Sequence, residues 1–328
     1  MKTGRATMEM KPAPPSSNVP ITIPRQFILT GMLMRFLANF TVTGGTGAGT
    51  IPADALARYF RQIRIVLDGE TIGTTRGQTL RRISRFFDPA ALEQTPPASL
   101  AAGTNTAVEY SLLLPFSMPH SNFPDEFALP VPFVNLPQLV IDTAAAGDLV
   151  RNANGAIGLV NPRIEMTQLP MVLEKNQGGF TDAYSILGWQ QYSVDVTLAN
   201  PTMRVKLENL EPGHEVRAVI IEAEDNGSNG AGYIDSDTLV RSLRFSLNGT
   251  DVVEGTPWDV LRNLNKRTYG LAAREPGCVI IDAAEDRNTA SGELFSVGDG
   301  VLPFLEMDVM PGAGASRVIV TVLLAHRT

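Results

Sequence analysis

The chain has 328 residues, a length that suits two domains of ordinary size or one large domain. Apolar residues make up 44% and charged residues 19%, which argues against a disordered chain, a coiled coil or a bundle of long helices. The single cysteine, Cys278, excludes an intrachain disulfide framework, and the net charge of −7 provides no general attraction to nucleic acid or anionic lipid.

The N-terminal segment differs in composition from the rest of the chain. Residues 1–24 contain five prolines, together with the cationic residues Lys2, Arg5 and Lys11. This proline density forbids a helix and predicts an extended N-terminal arm, which we place at residues 1–20. Such an arm is either a flexible tail or a segment that becomes ordered against a neighbouring subunit or another surface.

No membrane or export segment is expected. The longest apolar stretch, Phe27–Phe40, is interrupted by Arg35 and is too short to span a bilayer. No apolar segment precedes Phe27, so a signal peptide is not predicted.

Beyond the arm, the chain has the pattern of a mainly β protein. Runs rich in β-branched and aromatic residues recur, and several alternate apolar and polar residues with the period of a strand. Only short helices are compatible with the remaining sequence. The predicted strand segments are Phe36–Thr43, Ile63–Leu67, Val108–Leu114, Leu139–Thr143, Tyr192–Leu198, Val216–Glu222, Leu243–Leu247, Val279–Ile281 and Val318–Leu324.

An internal repeat organises the sequence. Residues 61–69 align with residues 241–249 at an offset of about 180, with identities at both arginines, the leucine and the glycine. Upstream, residues 47–54 align with 230–237, and downstream residues 136–142 align with 302–308. Because these matches keep their order, we infer a tandem duplication of a β unit of about eight strands, at residues 21–178 and 179–328.

Each copy contains one predicted hairpin and one predicted short helix. Asp68-Gly69 and Asn248-Gly249 suit the positive φ angles of a type I′ turn. A helix is predicted after each hairpin, with Thr75 and Thr256 as N-caps, because a side chain three residues later can complete the cap. The apolar residues at the helical spacing of three are Leu80 and Ile83 in the first copy, and Leu261 and Leu264 in the second.

The glycine-rich segment Thr43–Gly49 resembles a dinucleotide-binding loop but does not fit one. Counting from Gly45, the fingerprint needs a glycine where Thr50 stands, and no Lys-Ser or Lys-Thr pair follows. The second copy has Asp225–Gly230 at this point, which is typical of a solvent loop. No cofactor is therefore predicted.

Metal sites and nucleophilic sites are also not predicted. His120, His214 and His326 are far apart in the sequence, and Pro212-Gly213 breaks any helix that would join Glu211 to His214. Asp225–Asp237 fails the EF-hand count, Cys278 has no evident base, and Trp189 and Trp258 are expected in the core. Asp142 with Asp148 remains open as a carboxylate pair.

The arm and the repeat together resemble those of the double jelly-roll major capsid proteins of tailless, icosahedral, membrane-containing bacteriophages of the corticovirus, tectivirus and finnlakevirus kind. The segments that carry the resemblance are the proline-rich arm, Phe27–Thr43, Ala57–Gly69 with its following helix, and Leu239–Gly249. The resemblance implies two tandem eight-stranded jelly-roll barrels, each with a short inserted helix, plus the extended N-terminal arm.

A structural, non-enzymatic role follows from the resemblance. It implies homotrimers that imitate hexagons and tile an icosahedral virion, with penton and minor capsid proteins as neighbours and without sequence-specific nucleic-acid binding. It also implies an internal membrane near the arm, synthesis in the host cytoplasm, and loops that face outward or toward neighbours, here Ala144–Asn154 and Gly178–Gly188.

Two other functions remain open at this point. A phage spike or receptor-binding β-sandwich would carry a distinct C-terminal head with clustered aromatic residues, whereas here the second half repeats the first. A carbohydrate-active β-sandwich enzyme would need paired carboxylates and exposed aromatic residues, and aromatic residues are only 7% of the chain.

Overall fold

The structure is a computed structural model. It describes residues 6–7, 10–43, 49–50, 54–87, 99–100, 105–116, 128–150, 156–170, 185–197, 201–208, 210, 213–226, 233–283, 295–298, 302–312 and 314–327. The chain divides into two compact units, and the change from one unit to the other along the chain falls between Gly188 and Trp189. The predicted boundary at residue 178 lies outside the described residues.

The first unit is built from two packed sheets. The larger sheet has the order β1-β11-β4-β9, with β2 also paired to β11, and the other has the order β3-β10-β6-β7. Strands β5 and β8 form a third, two-stranded sheet. The elements are β1 (Ala6–Thr7), β2 (Lys11–Pro12), β3 (Asn18–Thr22), β4 (Leu29–Thr43), β5 (Gly49–Thr50), α1 (Ala55–Arg58), β6 (Phe60–Leu67), β7 (Glu70–Thr75), α2 (Gly77–Phe87), β8 (Ser99–Leu100), β9 (Asn105–Pro115), β10 (Pro137–Thr143) and β11 (Ala156–Pro170).

The second unit has the same architecture. Its larger sheet has the order β12-β21-β14, with β15, β18 and β19 all paired to β14, and its other sheet has the order β13-β20-β16-β17. The elements are β12 (Ser185–Val196), β13 (Thr202–Lys206), β14 (Glu215–Asp225), β15 (Ile234–Asp235), β16 (Val240–Leu247), β17 (Thr250–Pro257), α3 (Trp258–Thr268), β18 (Cys278–Asp282), β19 (Phe295–Ser296), β20 (Phe304–Val309) and β21 (Ser316–Arg327).

The strand register reproduces the repeat found in the sequence. In the first unit Leu139 lies opposite Ile65, and in the second Leu305 lies opposite Phe245. These are the same pairs that the alignment of the two halves brings together. The strand orders of the two sheets in one unit match those in the other, and each unit has one helix inserted after its hairpin. This is the strand arrangement of a jelly roll.

Both predicted hairpin turns are confirmed. Asp68 and Gly69 have φ values of 51° and 89°, and Asn248 and Gly249 have φ values of 53° and 76°. Positive φ at both central residues is the requirement of a type I′ turn, whose twist matches that of the flanking strands.

Each of the two predicted helix starts is one residue too early. Thr75 and Thr256 still belong to β7 and β17, where they pair with Ile63 and Leu243. Strand pairing therefore takes both threonines out of the cap position, and the Thr256 hydroxyl donates instead to the Glu254 carbonyl at 3.3 Å. The helices α2 and α3 begin only after these strands end.

The described part of the predicted arm consists of short strands with a turn at residues 15–16, and it pairs within its own chain. Strand β2 pairs with Ile164 and Arg163 of β11, and β3 pairs along its length with β10. Strand β3 crosses the predicted arm boundary at residue 20. Strands β2 and β3 therefore have pairing partners in their own chain and do not require a neighbouring subunit for pairing.

Side chains of the first barrel hold the segment between β2 and β3. The Tyr59 hydroxyl donates to the Ala13 carbonyl at 2.5 Å, and the Thr143 hydroxyl donates to the Pro14 carbonyl at 2.6 Å. Tyr59 also packs on Phe36, with ring centroids 4.7 Å apart. Burial raises the pKa of the Tyr59 phenol to about 12, because a charged phenolate is poorly solvated there.

The raised pKa of Tyr59 predicts an alkaline loss of stability. The folded state retains the phenol proton more tightly than the unfolded state, so this stabilisation is complete below pH ~10 and is lost as pH rises towards the folded pKa of about 12. By pH 11 the loss amounts to about 1 kcal/mol. We expect Tyr59→Phe to lower stability at pH 8 but to lose less than wild type between pH 9 and 11, as measured by urea unfolding. Equal losses in both proteins would contradict the assignment.

Gly277 is required by the backbone of the second barrel. It has a φ of +56°, and a Cβ atom there would lie 2.7 Å from the Ala223 carbonyl oxygen and 2.8 Å from the Ser236 nitrogen. Gly270 has a similar φ of +64° but open space around it. The two glycines therefore separate backbone strain from crowding.

We expect Gly277→Ala to destabilise the second unit by about 3 kcal/mol, the sum of left-handed strain and overpacking. The matched variant Gly270→Ala carries the strain alone and is expected to lose only about 1 kcal/mol. Urea unfolding followed by tryptophan fluorescence measures both, since Trp189 and Trp258 both belong to the second unit. Equal losses would show that crowding at Gly277 has no effect.

Candidate functional site

Several of the described residues considered from the sequence as catalytic or ligand-binding candidates are either buried in the core or hydrogen-bonded to neighbouring strands. Trp189, Trp258 and Cys278 are buried, as expected for core residues. Oxygens of Asp142 accept hydrogen bonds from Asn18 at 2.6 Å and Arg64 at 3.2 Å, while Asp148 lies in a separate 3-10 turn. These placements give the described candidates packing and strand-pairing roles.

The acidic segment near Asp237 holds the inserted helix of the second unit. Asp237 accepts a hydrogen bond from the Gly277 amide at 2.7 Å and forms an ion pair with Arg262 of α3 at 2.8 Å. Within the described ranges, no three His, Cys, Asp or Glu side chains are grouped closely enough to hold a metal ion. His120, residues 44–48 and residues 227–232 lie outside those ranges.

The loops proposed to face outward or toward neighbours are only partly described. In Ala144–Asn154 the apolar residues Ala144, Ala146, Leu149 and Val150 are buried, whereas Gly147 and Asp148 between them are exposed. Of Gly178–Gly188, residues 185–188 are the beginning of β12, and the remainder is not among the described residues. Among the described helices, none has the length and apolar character needed to cross a membrane.

The two inserted helices differ in how far they are covered. In α2 every side chain from Gln78 to Ile83 is buried, including the arginines at positions 81 and 82. In α3, by contrast, Val260 and Leu264 are 46% and 49% exposed, and Asn263, Lys266 and Arg267 are exposed beside them. An exposed apolar pair one turn apart on a helix is typical of a surface that contacts another molecule.

The covered side of α3 is attached to the edge of the larger sheet. The Asn265 amide donates to the Ile280 carbonyl at 2.8 Å, and its oxygen accepts from the Ile280 amide at 2.8 Å. A side-chain amide thus satisfies one backbone position of strand β18, in the way that a neighbouring strand would. Nearby, the Tyr269 hydroxyl donates to Asp282 at 2.8 Å, and Asp282 also pairs with Arg217.

The larger sheets of the two units also differ in how far they are covered, but here the covered member is in the second unit. In β14 every residue from Val216 to Glu224 is buried, so both faces of this strand are covered. In the corresponding strand β4, Leu33 is exposed and the outward residues from Arg35 to Thr41 are half-buried. One outer sheet face is therefore covered within the chain, and its counterpart is open.

The open face of the first sheet carries an ion-pair cluster and a shallow groove. Arg35 donates to Glu109 at 2.5 Å and to Glu165 at 3.2 Å, and the hydrogen bond from Arg35 lowers the pKa of Glu109. The groove has a volume of about 400 Å³ and lies where β11 bulges between Val160 and Arg163. Its lining residues are Leu37, Ala38, Asn39, Ala107, Val108, Glu109, Val160, Asn161 and Arg163.

Exposed leucines also occupy equivalent positions at one end of each barrel. Leu136 precedes β10 and Leu302 precedes β20, and each is 50% exposed. The residue after each leucine is a proline whose carbonyl accepts from the strand alongside, from Ile23 in one unit and from Leu207 in the other. The duplication thus extends to the surface of the barrels.

Comparisons with known proteins agree with this architecture. No protein-family model and no curated protein matches the chain. The chain is similar in structure to the MCP of STIV, Sulfolobus turreted icosahedral virus, with a TM-score of 0.74 and 13% identity over 98% of this chain and 96% of that chain. It is also similar to the major capsid protein P2 of bacteriophage PM2, with a TM-score of 0.58 and 12% identity over 98% of each chain.

A third similar structure is the PBCV-1 virus capsid, with a TM-score of 0.65 and 13% identity over 99% of this chain and 96% of that chain. The proteins matched are double jelly-roll major capsid proteins. These likenesses establish the fold: the chain is a double jelly roll, which confirms the fold class predicted from the sequence.

The exposed pair on α3 was missed by the sequence prediction. Leu261 and Leu264 have the helical spacing of three identified in the sequence, but Leu261 is buried and Leu264 is exposed. The sequence does contain a signal for this exposed pair, namely an apolar surface too wide for one buried face. Trp258 and Leu261 already form the inward side of the short helix, and Val260 and Leu264 extend the apolar surface further around it.

We expect Asn265→Ala to destabilise the second unit by about 1–3 kcal/mol, since it leaves the Ile280 amide and carbonyl without their partner. Asn263→Ala, two residues away on the exposed side, is the matched control and is expected to change stability by less than about 0.5 kcal/mol. Both are measured by urea unfolding. Similar values for the two variants would show that the amide does not protect the strand edge.

Proposed function

We propose that this protein is a structural major capsid protein that assembles with copies of itself. The observation that carries the proposal is the duplicated barrel: one chain holds two jelly rolls with the same strand orders and the same register. Three such chains around a three-fold axis present six similar barrels, and a block with six similar sides packs into a hexagonal layer.

The sheet edges of each barrel support assembly. Strands β3 and β7 form the edges of the smaller sheet in the first unit, and β13 and β17 form those of the second. Unpaired strand edges promote uncontrolled association, so proteins cover or modify them. Pro20 in β3 lacks an amide hydrogen and so weakens this edge as a pairing template, while burial between subunits would cover the others.

The complete proposal is a homotrimeric, pseudo-hexagonal capsomer that tiles the facets of an icosahedral virion. Its partners are neighbouring capsomers, penton and minor capsid proteins, and an internal membrane approached by the first residues of the chain, where Lys2 and Arg5 suit anionic headgroups. The protein would be made in the host cytoplasm and would act in the virion shell. The family resemblance supports these details, and no catalytic, cofactor or metal residue is assigned.

The oligomeric state tests the proposal directly. We expect the purified full-length chain to sediment as a trimer and, at high concentration, to form flat hexagonal arrays visible by negative-stain electron microscopy. Large interfaces of this kind are obligate, so the trimer is expected to persist on dilution to micromolar concentration. A chain that stays monomeric at all concentrations, with or without added salt, would contradict a shell-forming role.

A further inference from the structure

The duplication produces two pairs of equivalent surfaces, and in each pair one member is covered within the chain while the other is open. The inserted helix is covered in the first barrel, as α2, and open in the second, as α3. The outer face of the larger sheet is covered in the second barrel, along β14, and open in the first, along β4. Each kind of surface is therefore buried once and exposed once.

We propose that the open face of α3 in one copy docks on the open outer face of the first barrel's larger sheet in a second copy. This rests on the proposed self-assembly and identifies its interface. Because the helix and the sheet are different surfaces of the same chain, the contact is head-to-tail, and such contacts close into a ring when the rotation between copies permits. The covered members of both pairs show that each surface type suits burial.

The two surfaces are complementary in shape and polarity, because an apolar ridge on α3 matches a groove with apolar lining residues on the sheet. Val260 and Leu264 form an apolar ridge one helical turn long. On the sheet, Leu37 and Val160 both line the groove of about 400 Å³ formed at the β11 bulge. A ridge of two side chains entering a groove of this kind is the usual centre of a protein interface, with an apolar core inside a polar rim.

Charged and polar groups surround both apolar surfaces. Around the groove they are Asn39, Glu109, Asn161 and Arg163, with Arg35 and Glu165 beyond. Along α3 they are Asp259, Asn263, Lys266 and Arg267. Both signs of charge occur on each surface, which permits pairing at the rim and gives the contact a fixed orientation.

Cysteine cross-linking tests the contact. In the full chain carrying Leu264→Cys with Leu37→Cys, mild oxidation is expected to link separate copies into covalent dimers and trimers on non-reducing gels. The native Cys278 is buried and does not contribute. The matched pair is Met310→Cys with Leu37→Cys, since Met310 is 47% exposed on the same unit as Leu264. Absence of linking in the first pair, or equal linking in both, would overturn the proposal.

Charge substitutions separate this proposal from the assembly proposal. Leu264→Asp is expected to weaken trimer formation at least tenfold in sedimentation velocity, whereas Met310→Asp keeps it. Both variants are expected to retain the far-ultraviolet circular dichroism spectrum of the wild type, because both side chains are exposed. A trimeric wild type with equal assembly by the two variants would refute only the α3 interface. A wild type that never assembles would refute the capsid role itself.

Discussion

Each barrel depends on a central strand that pairs on both sides with strands distant in the sequence. In the first barrel β10 lies between β3 and β6, and in the second β20 lies between β13 and β16. Leu139 and Ile141 of β10 point into the core, while the alternate residues of the strand are half-buried. A shift of one residue would exchange these sets, so burial fixes the register and the register places the hairpins and the inserted helices.

The two barrels of the chain share the same strand arrangement but have different surfaces. Helix α2 is buried from Gln78 to Ile83, whereas α3 is attached through Asn265 to the edge of β18 and leaves an apolar side exposed. A duplicated barrel inside one chain does not have equivalent surroundings in both positions, so its surfaces are free to diverge. What remains common is the interior, which is why Leu139 and Leu305 still occupy the same place in their sheets.

Much of the fold was accessible from local sequence patterns, because strands, type I′ turns and the repeat each depend on residues close together in the chain. All nine predicted strand segments coincide with or overlap strands. The long strand β11 was not predicted, since Asn161-Pro162 in its middle has the composition of a turn; the structure accommodates both residues in a bulge, with Asn161 at a φ of +50°.

The barrel surfaces were harder to predict from the sequence than the strands and turns. Whether Leu264 or Leu261 points inward depends on where α3 begins, and the start of α3 depends on how far β17 remains paired with β16. The pairing of β2 with β11 likewise depends on contacts far along the chain, which proline content alone does not reveal. The start of α3 and the pairing of β2 therefore depend on long-range strand pairing, which local sequence patterns do not show.

The position of β2 has a consequence for biosynthesis. Its partner residues, Arg163 and Ile164, are translated about 150 residues later, so the first barrel completes its larger sheet only once β11 has emerged from the ribosome. By then β21, the corresponding strand of the second barrel, has not been made. The order of synthesis thus protects two similar barrels from exchanging strands, a recognised failure of tandem repeats.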